Sequence, residues 1–321
     1  MHEFQLIKEY FLELSKNNKS SLNLNDDVFF DSSKKLVVSI DTYIEGIHFL
    51  NFKKPDLVIK KVIRSSISDL ICKGVRPKFY FISGSGNNKS FTSINLKKIS
   101  KSLKEEQKKY NINLCGGDTV FSNKLSFSIT TIGFSPKIIF RNRAKLDDDI
   151  YVTGNLGDSF AGLQILKKKI KTSNILNKYF EKKYYMPDLH LNFTNKLLSF
   201  ANSSIDISDG LITDLEKLIN TQNLSYKINL KNVPISQNLN KLINIKRLNK
   251  LLFISKGDDY EILFTASTSK FRIIRKTAKS LGIKISKIGK ISSRQQESEI
   301  IDQKGKKIAV KNKGYYHKFK S

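Results

Sequence analysis

Six short stretches of the chain set aspartate beside glycine, beside serine or at the end of an apolar run. "NDDVFF" carries Asp26 and Asp27, "SIDT" Asp41, "SISDL" Asp69, "CGGDT" Asp118, "SIDISDG" Asp206 and Asp209, and "KGDDYE" Asp258 and Asp259. If these carboxylates converged with nothing between them, they would repel one another and several would have to take up protons. Divalent cations remove that difficulty, because Mg2+ demands oxygen ligands and is commonly held by a few carboxylates, water and substrate phosphates. Glycines beside the acids, at Gly116, Gly117, Gly210 and Gly257, would let phosphates come close to the backbone. The pattern therefore suggests phosphate chemistry at a site with several metal ions. A single Asp-Gly or Ser-Asp is more often a turn or a helix cap than a ligand. Asp69, well inside a helical pattern, and Asp41, at the end of an apolar one, resist that explanation; "LDDD" at 146–149 does not.

The elements that must position these acids follow from periodicity. "KLVVSID" (35–41) reads as a buried strand ending on Asp41. Pro55 can open a helix with an apolar stripe of Val58, Val62, Ile63, Ile67, Leu70 and Ile71, closed by Gly74 and Pro77, and Asp69 lies on it. A strand is expected at 78–83, then a glycine-containing loop and a basic helix from Ser93 to Tyr110. Strands follow at 112–115 and 124–134, the second alternating as an antiparallel strand does. Over 135–149 apolar periodicity stops and charge accumulates, which divides residues 1–140 from 141–321. The second unit reads as a strand at 150–154, a helix after "NLGDSFAGL", a helix over 186–201, an extended "SSIDIS" and a helix over 209–220. Strands near 225–230 and 259–266, a helix over 269–281 and a strand from Ile283 complete it. Two α+β domains without internal repeats result.

Composition bounds the function. A chain of 321 residues, 39% hydrophobic, can bury a sizeable core. No apolar run approaches the roughly 20 residues of a membrane helix, and "MHEFQLIKEYF" interleaves charge where a signal peptide would be apolar, so a soluble cytoplasmic protein is expected. Cys72 and Cys115 form neither a disulfide framework nor a zinc pattern. The 57 Lys+Arg against 29 Asp+Glu would suit nucleic acid through counterion release. The lysines are spread along the whole length, however, which makes nucleic-acid binding the lesser reading; a positive field would still recruit phosphorylated small molecules.

In order and spacing, the acid-bearing stretches resemble the thiamine-monophosphate kinase family of the aminoimidazole-ribonucleotide-synthetase-like superfamily. The resemblance rests on "DD" at 26–27, "SIDTYIEGIHF" at 39–49, "SSISDLICKGVRP" at 65–77, "LCGGDT" at 114–119, "VTGNLGDSFAGL" at 152–163, "IDISDGLITDL" at 205–215, "KGDDYEILFT" at 256–265 and "KGYYHKF" at 313–319. It implies an N-terminal α/β sandwich domain (1–140) that binds metal and ATP, a C-terminal α+β domain (141–321), and a homodimer. The implied reaction moves the γ-phosphoryl group of ATP onto thiamine monophosphate with the help of several Mg2+ ions. Carried over position by position, it implies Asp27, Ser39, Ile40, Asp41, Asp69, Asp118, Asp206 and Asp209 as metal ligands, and Gly117, Asp118, Arg141 and Ser208 as ATP contacts. His48, Asp258 and Tyr315 would hold the substrate, and Asp41, Asp69, Asp118 and Arg141 would carry catalysis. The chain departs from the family pattern at Ile40, where a threonine is usual and only a backbone carbonyl could serve, and at Asn25 and Lys256, where glycine is usual. "RNRAKLDDD" likewise deviates from the common "RSGAKPGD". Another ATP-using enzyme of the superfamily, a homologue that binds nucleotide without turnover, and a basic nucleic-acid-binding protein are the rival readings.

Overall fold

The computed structural model describes residues 3–310, 313–315 and 319, so of the "KGYYHKF" stretch Tyr316, His317 and Lys318 lie outside the described residues. The elements arrange around two sheets. The first contains β1 (Phe29–Asp31), β2 (Leu36–Ile44), β3 (Pro77–Gly86), β4 (Asn113–Phe121) and β5 (Ser126–Phe134) in the order β1-β2-β5-β3-β4. The second contains β6 (Asp149–Thr153), β7 (Ser203–Asp206), β8 (Leu224–Asn229), β9 (Ile262–Ala266), β10 (Ile285–Ser293) and β11 (Glu299–Ile301) in the order β11-β8-β10-β6-β9-β7.

Strand β2 alternates. Val37, Ser39 and Tyr43 are buried on one face, Ile40 is exposed on the other, and β5 repeats the pattern with Phe127, Ile129 and Thr131. The buried face is covered by the helix Pro55–Cys72, which starts on a proline at its first turn, where the missing N–H costs nothing. Val58, Ile59, Val62, Ile63, Ile67, Leu70 and Ile71 are all fully buried on this helix, and so are residues between them, because it packs on β2 and β5 and also against β7 of the second sheet. This central helix is a wall shared by both halves. One hydrophobic cluster runs through it, from Tyr43 and Ile129 to Tyr151, Phe193 and Phe264. The helix Ser93–Tyr110 begins where the Thr92 side chain accepts the Asn95 N–H at 3.2 Å and ends on left-handed Asn111; it is the crossover that makes β3 and β4 parallel.

Three expectations need correction. Strand β2 continues three residues past Asp41, so that acid lies within a strand and not at its end. The strand expected at 112–115 is longer: Gly116, Gly117 and Asp118 also belong to the edge strand β4. The helix expected over 186–201 is instead Asn174–Tyr185, capped by the Ser173 side chain, and between Pro187 and Ala201 the chain forms the 3-10 turn Leu191–Phe193 and the short helix Thr194–Leu197. The helices Gln237–Lys246 and Lys250–Ile254 were not expected from periodicity. Among the described residues no helix is long and apolar enough to cross a membrane.

The central helix is also tied by charge. Arg64 makes a two-pronged pair with Glu106, Nε to Oε2 at 2.8 Å and Nη2 to Oε1 at 2.9 Å, and donates to the Pro187 carbonyl at 3.2 Å. Both side chains are buried. Glu106→Ala would leave Arg64 charged and unpaired in the interior, a loss of about 3 kcal/mol. Denaturant unfolding should show a clearly lowered midpoint, and an unchanged midpoint would contradict this role.

Candidate active site

Three carboxylates from three elements meet where the central helix passes between the sheets. Asp41 stands on the inner face of β2 between Ser39 and Tyr43, Asp69 on the last turns of the central helix, and Asp206 at the end of β7. Each is bound by a neighbouring hydroxyl. Tyr43 donates to Asp41 Oδ2 at 3.0 Å, Ser39 donates to Asp69, and Ser68 donates to Asp206. Burial pushes Asp41 up to about 6, partly offset by the Tyr43 hydrogen bond. Asp206 is also pushed up to about 6 by burial, against the hydrogen bond from Ser68. Asp69 is raised well above the usual carboxylate range, by burial first and then by the charges of Asp41 and Asp206. Hard oxygen donors that resist ionising together are what a divalent cation stabilises, so the chemistry of this set fits Mg2+. Among the described residues no three His, Cys, Asp or Glu side chains close on one ion position as they stand. The three acids are tied instead to their hydroxyl partners.

Two further acidic groups flank this one. Asp27 receives Arg141, with Nε at 3.0 Å, and Lys73 Nζ at 2.8 Å, while Asp26 pairs with Lys73 at 2.7 Å and accepts the Arg141 N–H at 3.0 Å. In the second group Asp209 pairs with Lys217, which also approaches Asp214 at 3.1 Å. Asp214, fully buried, accepts the backbone N–H groups of Asp209 and Gly210, each at 2.9 Å, closing the loop in front of the helix Leu211–Leu218. Burial raises it to about 6.

The third wall is the loop after Lys256. Gly257, Asp258 and Tyr260 all have left-handed backbone, with φ of 71°, 64° and 53°. Such conformations cost non-glycine residues about 1–2 kcal/mol each and persist only where the surroundings impose them. Here the Asp258 N–H donates to the Ser208 carbonyl at 2.8 Å and the Tyr260 N–H to the Ile207 carbonyl at 2.9 Å. Gly257 lies so close against the Ser208 carbonyl that a side chain would not fit. Asp258 is further held by Lys61 of the central helix at 2.9 Å, a lysine only 1% exposed whose Nζ lies 4.1 Å over the Tyr184 ring. His48 accepts the Ile44 N–H on Nδ1 at 3.0 Å and meets Tyr43 edge to face, which sets it one ring away from Asp41. The Tyr315 N–H donates to the Asp209 carbonyl at 3.1 Å, so the described part of the C-terminal segment lies against the loop of Ser208 and Asp209.

The structure thus gathers Asp27, Ser39, Asp41, Asp69, Arg141, Asp206, Ser208, Asp209 and Asp258 along the junction of the two sheets, with His48 and Tyr315 beside it. It does not bring Asp118 or the Ile40 side chain there. Asp41, Ile129, Ile82 and Gly117 lie in one row across the first sheet, and Asp118 belongs to the next row with Thr42, Ser128 and Ser83. Alternation puts that row on the opposite face. Asp118 is exposed on the edge strand and accepts its neighbour Thr119 N–H at 2.7 Å. Ile40 faces the same outer side and is 70% exposed. Sequence reasoning missed Ser68, Lys61, Lys73, Asp214 and Lys217; the only signal available was the polar residues interrupting the apolar stripe of the central helix and of "DGLITDLEKL".

Comparison with known proteins places this geometry. Residues 25–135 match the family model for AIR synthase related protein, N-terminal domain. The chain is 35% identical to the thiamine-monophosphate kinase of Buchnera aphidicola subsp. Acyrthosiphon pisum over 98% of both chains, and 32% identical to that of Haemophilus influenzae over 92% of this chain and 90% of that one. The structure of AaThiL complexed with AMPPCP and TMP matches with a TM-score of 0.84 at 26% identity, over 98% of this chain and 97% of that one. The fold is that of the AIR-synthase-like proteins. Within them, this chain belongs to the thiamine-monophosphate kinase family.

The raised carboxyl groups give a test without any substrate. Folding lifts Asp41 and Asp206 from 3.8 to about 6, so the folded chain binds these protons more tightly than the unfolded one. Their contribution to stability is full below about pH 4 and is lost as the pH rises through about 6. A divalent cation can offset that loss only where the groups are ionised. Mg2+ should therefore raise the melting temperature by several degrees more at about pH 7.5 than at about pH 5, measured by differential scanning fluorimetry. Equal shifts at both pH values would rule out these carboxylates as the ligands.

Proposed function

We propose that this chain transfers the γ-phosphoryl group of ATP to the phosphate of thiamine monophosphate, giving thiamine diphosphate and ADP. The observation that carries this reading is the Asp41, Asp69 and Asp206 group at the junction of the two sheets, in a chain of this family. AaThiL was solved with AMPPCP, an analogue of ATP, and TMP bound, which supports both substrates.

The chemistry sets a limited task. A phosphate oxygen of thiamine monophosphate attacks the γ-phosphorus, and the bond to the bridging oxygen breaks with its electron pair leaving on ADP. The nucleophile has a second pKa near 6 and is mostly ionised at neutral pH, so no side chain is needed as a base. The obstacle is two polyanions meeting. Mg2+, held by Asp41, Asp69 and Asp206, would supply the charge neutralisation that this needs. Ser39, Ser68 and Tyr43 orient those carboxylates, and Arg141, buried and fixed by Asp27, adds a positive field beside them. Gly117, Ser208 and Arg141 are the residues assigned to ATP, and His48, Asp258 and Tyr315 those assigned to thiamine monophosphate. Lys61 and the left-handed backbone of Asp258 keep that carboxylate in place before substrate arrives.

The reading includes a homodimer. Every residue of β4 is exposed, the strand pairs with β3 alone, and the outer face of the same sheet exposes Ile40, Phe81, Val120 and Phe134. An unpaired edge next to an apolar face is what a subunit contact covers. It would also give Asp118 and Gly117, which stand on that strand, a partner surface. Free cysteines at Cys72 and Cys115 and the use of ATP support a cytoplasmic setting.

The assay is purified protein with ATP, MgCl2 and thiamine monophosphate, chromatographed for thiamine diphosphate and ADP. Asp41→Asn should lose about 4 kcal/mol of transition-state stabilisation, roughly a thousandfold in rate. Formation of product at an undiminished rate by Asp41→Asn would refute the assigned role. For the oligomer, Ile40→Glu combined with Phe81→Glu should convert a dimer to monomers by light scattering; a wild-type chain that is monomeric at micromolar concentration would remove the dimer from the account.

A further inference from the structure

The acidic groups at the junction differ in what already neutralises them. Asp41, Asp69 and Asp206 accept hydrogen bonds from neutral hydroxyls, whereas the groups on either side hold ammonium ions. Lys73, the residue just after the central helix, is 0% exposed, and its Nζ lies 2.7 Å from Asp26, 2.8 Å from Asp27 and 2.9 Å from the Ser204 carbonyl. Three acceptors use all three protons of an ammonium group. With Arg141 on Asp27 as well, two positive charges there face two negative ones. In the second group the Lys217 side chain is 13% exposed and its Nζ reaches both Asp209 and Asp214. The carboxylate of Asp214 is anchored from behind by two backbone N–H groups, and the Tyr315 N–H holds the Asp209 carbonyl, so the loop that carries Asp209 is fixed around the lysine.

A buried ammonium is stable only where its partners remain in place. A divalent cation on Asp27 or Asp209 would either evict a lysine into the interior or stand against it at close range, where low dielectric makes like charges repel strongly. Neither lysine-paired group fits a metal ion as the chain is built, while Asp41, Asp69 and Asp206, bonded to neutral hydroxyls, do. We infer that Lys73 and Lys217 serve as built-in cations, Lys73 for Asp26 and Asp27 and Lys217 for Asp209 and Asp214, so that divalent ions are held by Asp41, Asp69 and Asp206 and not by Asp27 or Asp209. The inference rests on the kinase reading for its chemistry, and it narrows the metal ligands which the family resemblance implies. Its consequence is a chain that binds fewer ions than its count of site acids suggests.

The test is a Mn2+ titration of the full-length protein without nucleotide, with free ion read by electron paramagnetic resonance. Four chains are compared: wild type, Asp209→Asn, Lys217→Met and the double variant Lys217→Met with Asp209→Asn. The expected pattern is an unchanged ion count in Asp209→Asn, one additional ion in Lys217→Met, and loss of that additional ion in the double variant. An ion lost in Asp209→Asn, or a Lys217→Met count equal to wild type, would overturn the inference. If Lys217→Met does not fold, Asp209→Asn decides alone, since an unchanged count supports and a reduced count refutes. Failure of the kinase reading would look different: no thiamine diphosphate would form although the ion counts follow the expected pattern.

Discussion

Mutual repulsion among buried carboxylates is the constraint around which this chain is organised. Asp41, Asp69 and Asp206 come from a strand, a helix and a second strand; burial raises all three, the charges of Asp41 and Asp206 raise Asp69 further, and Asp41 also raises Asp206. A fold that gathers such groups must supply hydroxyls, internal cations or bound metal in proportion. Hydroxyls and internal cations both stand at one seam. Hydroxyls bind Asp41, Asp69 and Asp206, while lysines and an arginine pair with Asp26, Asp27, Asp209 and Asp214.

The central helix makes the seam possible. A helix buried on all sides is ordinarily apolar, yet this one buries Lys61, Arg64, Ser65, Ser66 and Ser68 among its isoleucines and valines. Each of the charged groups reaches across to a different element. Arg64 fixes the neighbouring helix, Lys61 fixes the loop of Asp258, and Lys73 at the helix end fixes the loop of Asp26 and Asp27 and the β7 carbonyl of Ser204. Packing of the core and placement of the site are therefore one problem with one solution: residues that hold the two sheets together also hold the carboxylates at their separations. Function is positioned by the same contacts that would be lost on unfolding.

How much of this was legible in the sequence depended on whether a residue's role was local. Asp69 stood out because an acid inside an apolar stripe has no ordinary place in a core, and the central helix and the basic helix Ser93–Tyr110 were readable from period and caps. Only the start of strand β4 was, because two consecutive glycines carry no strand signal; here Gly117 lies directly against the Ile82 carbonyl of β3, and its lack of a side chain serves close strand pairing. Ile40 looked like damage beside a metal ligand, but strand alternation turns its side chain to the outer face, away from Asp41. Lys73, Asp214 and Lys217 carried no signal in a lysine-rich chain, since nothing local separates a buried lysine from a solvated one. Their roles come from partners far away in sequence, as with Lys73 and Asp26.

The most direct measurement is a crystal structure of the protein soaked with Mn2+ and AMPPCP, with anomalous scattering recorded to locate the metal. The account requires an anomalous peak enclosed by the carboxylates of Asp41, Asp69 and Asp206. Peaks confined to Asp118 on the outer face of the sheet, or none at the junction in crystals that hold the nucleotide, would contradict it.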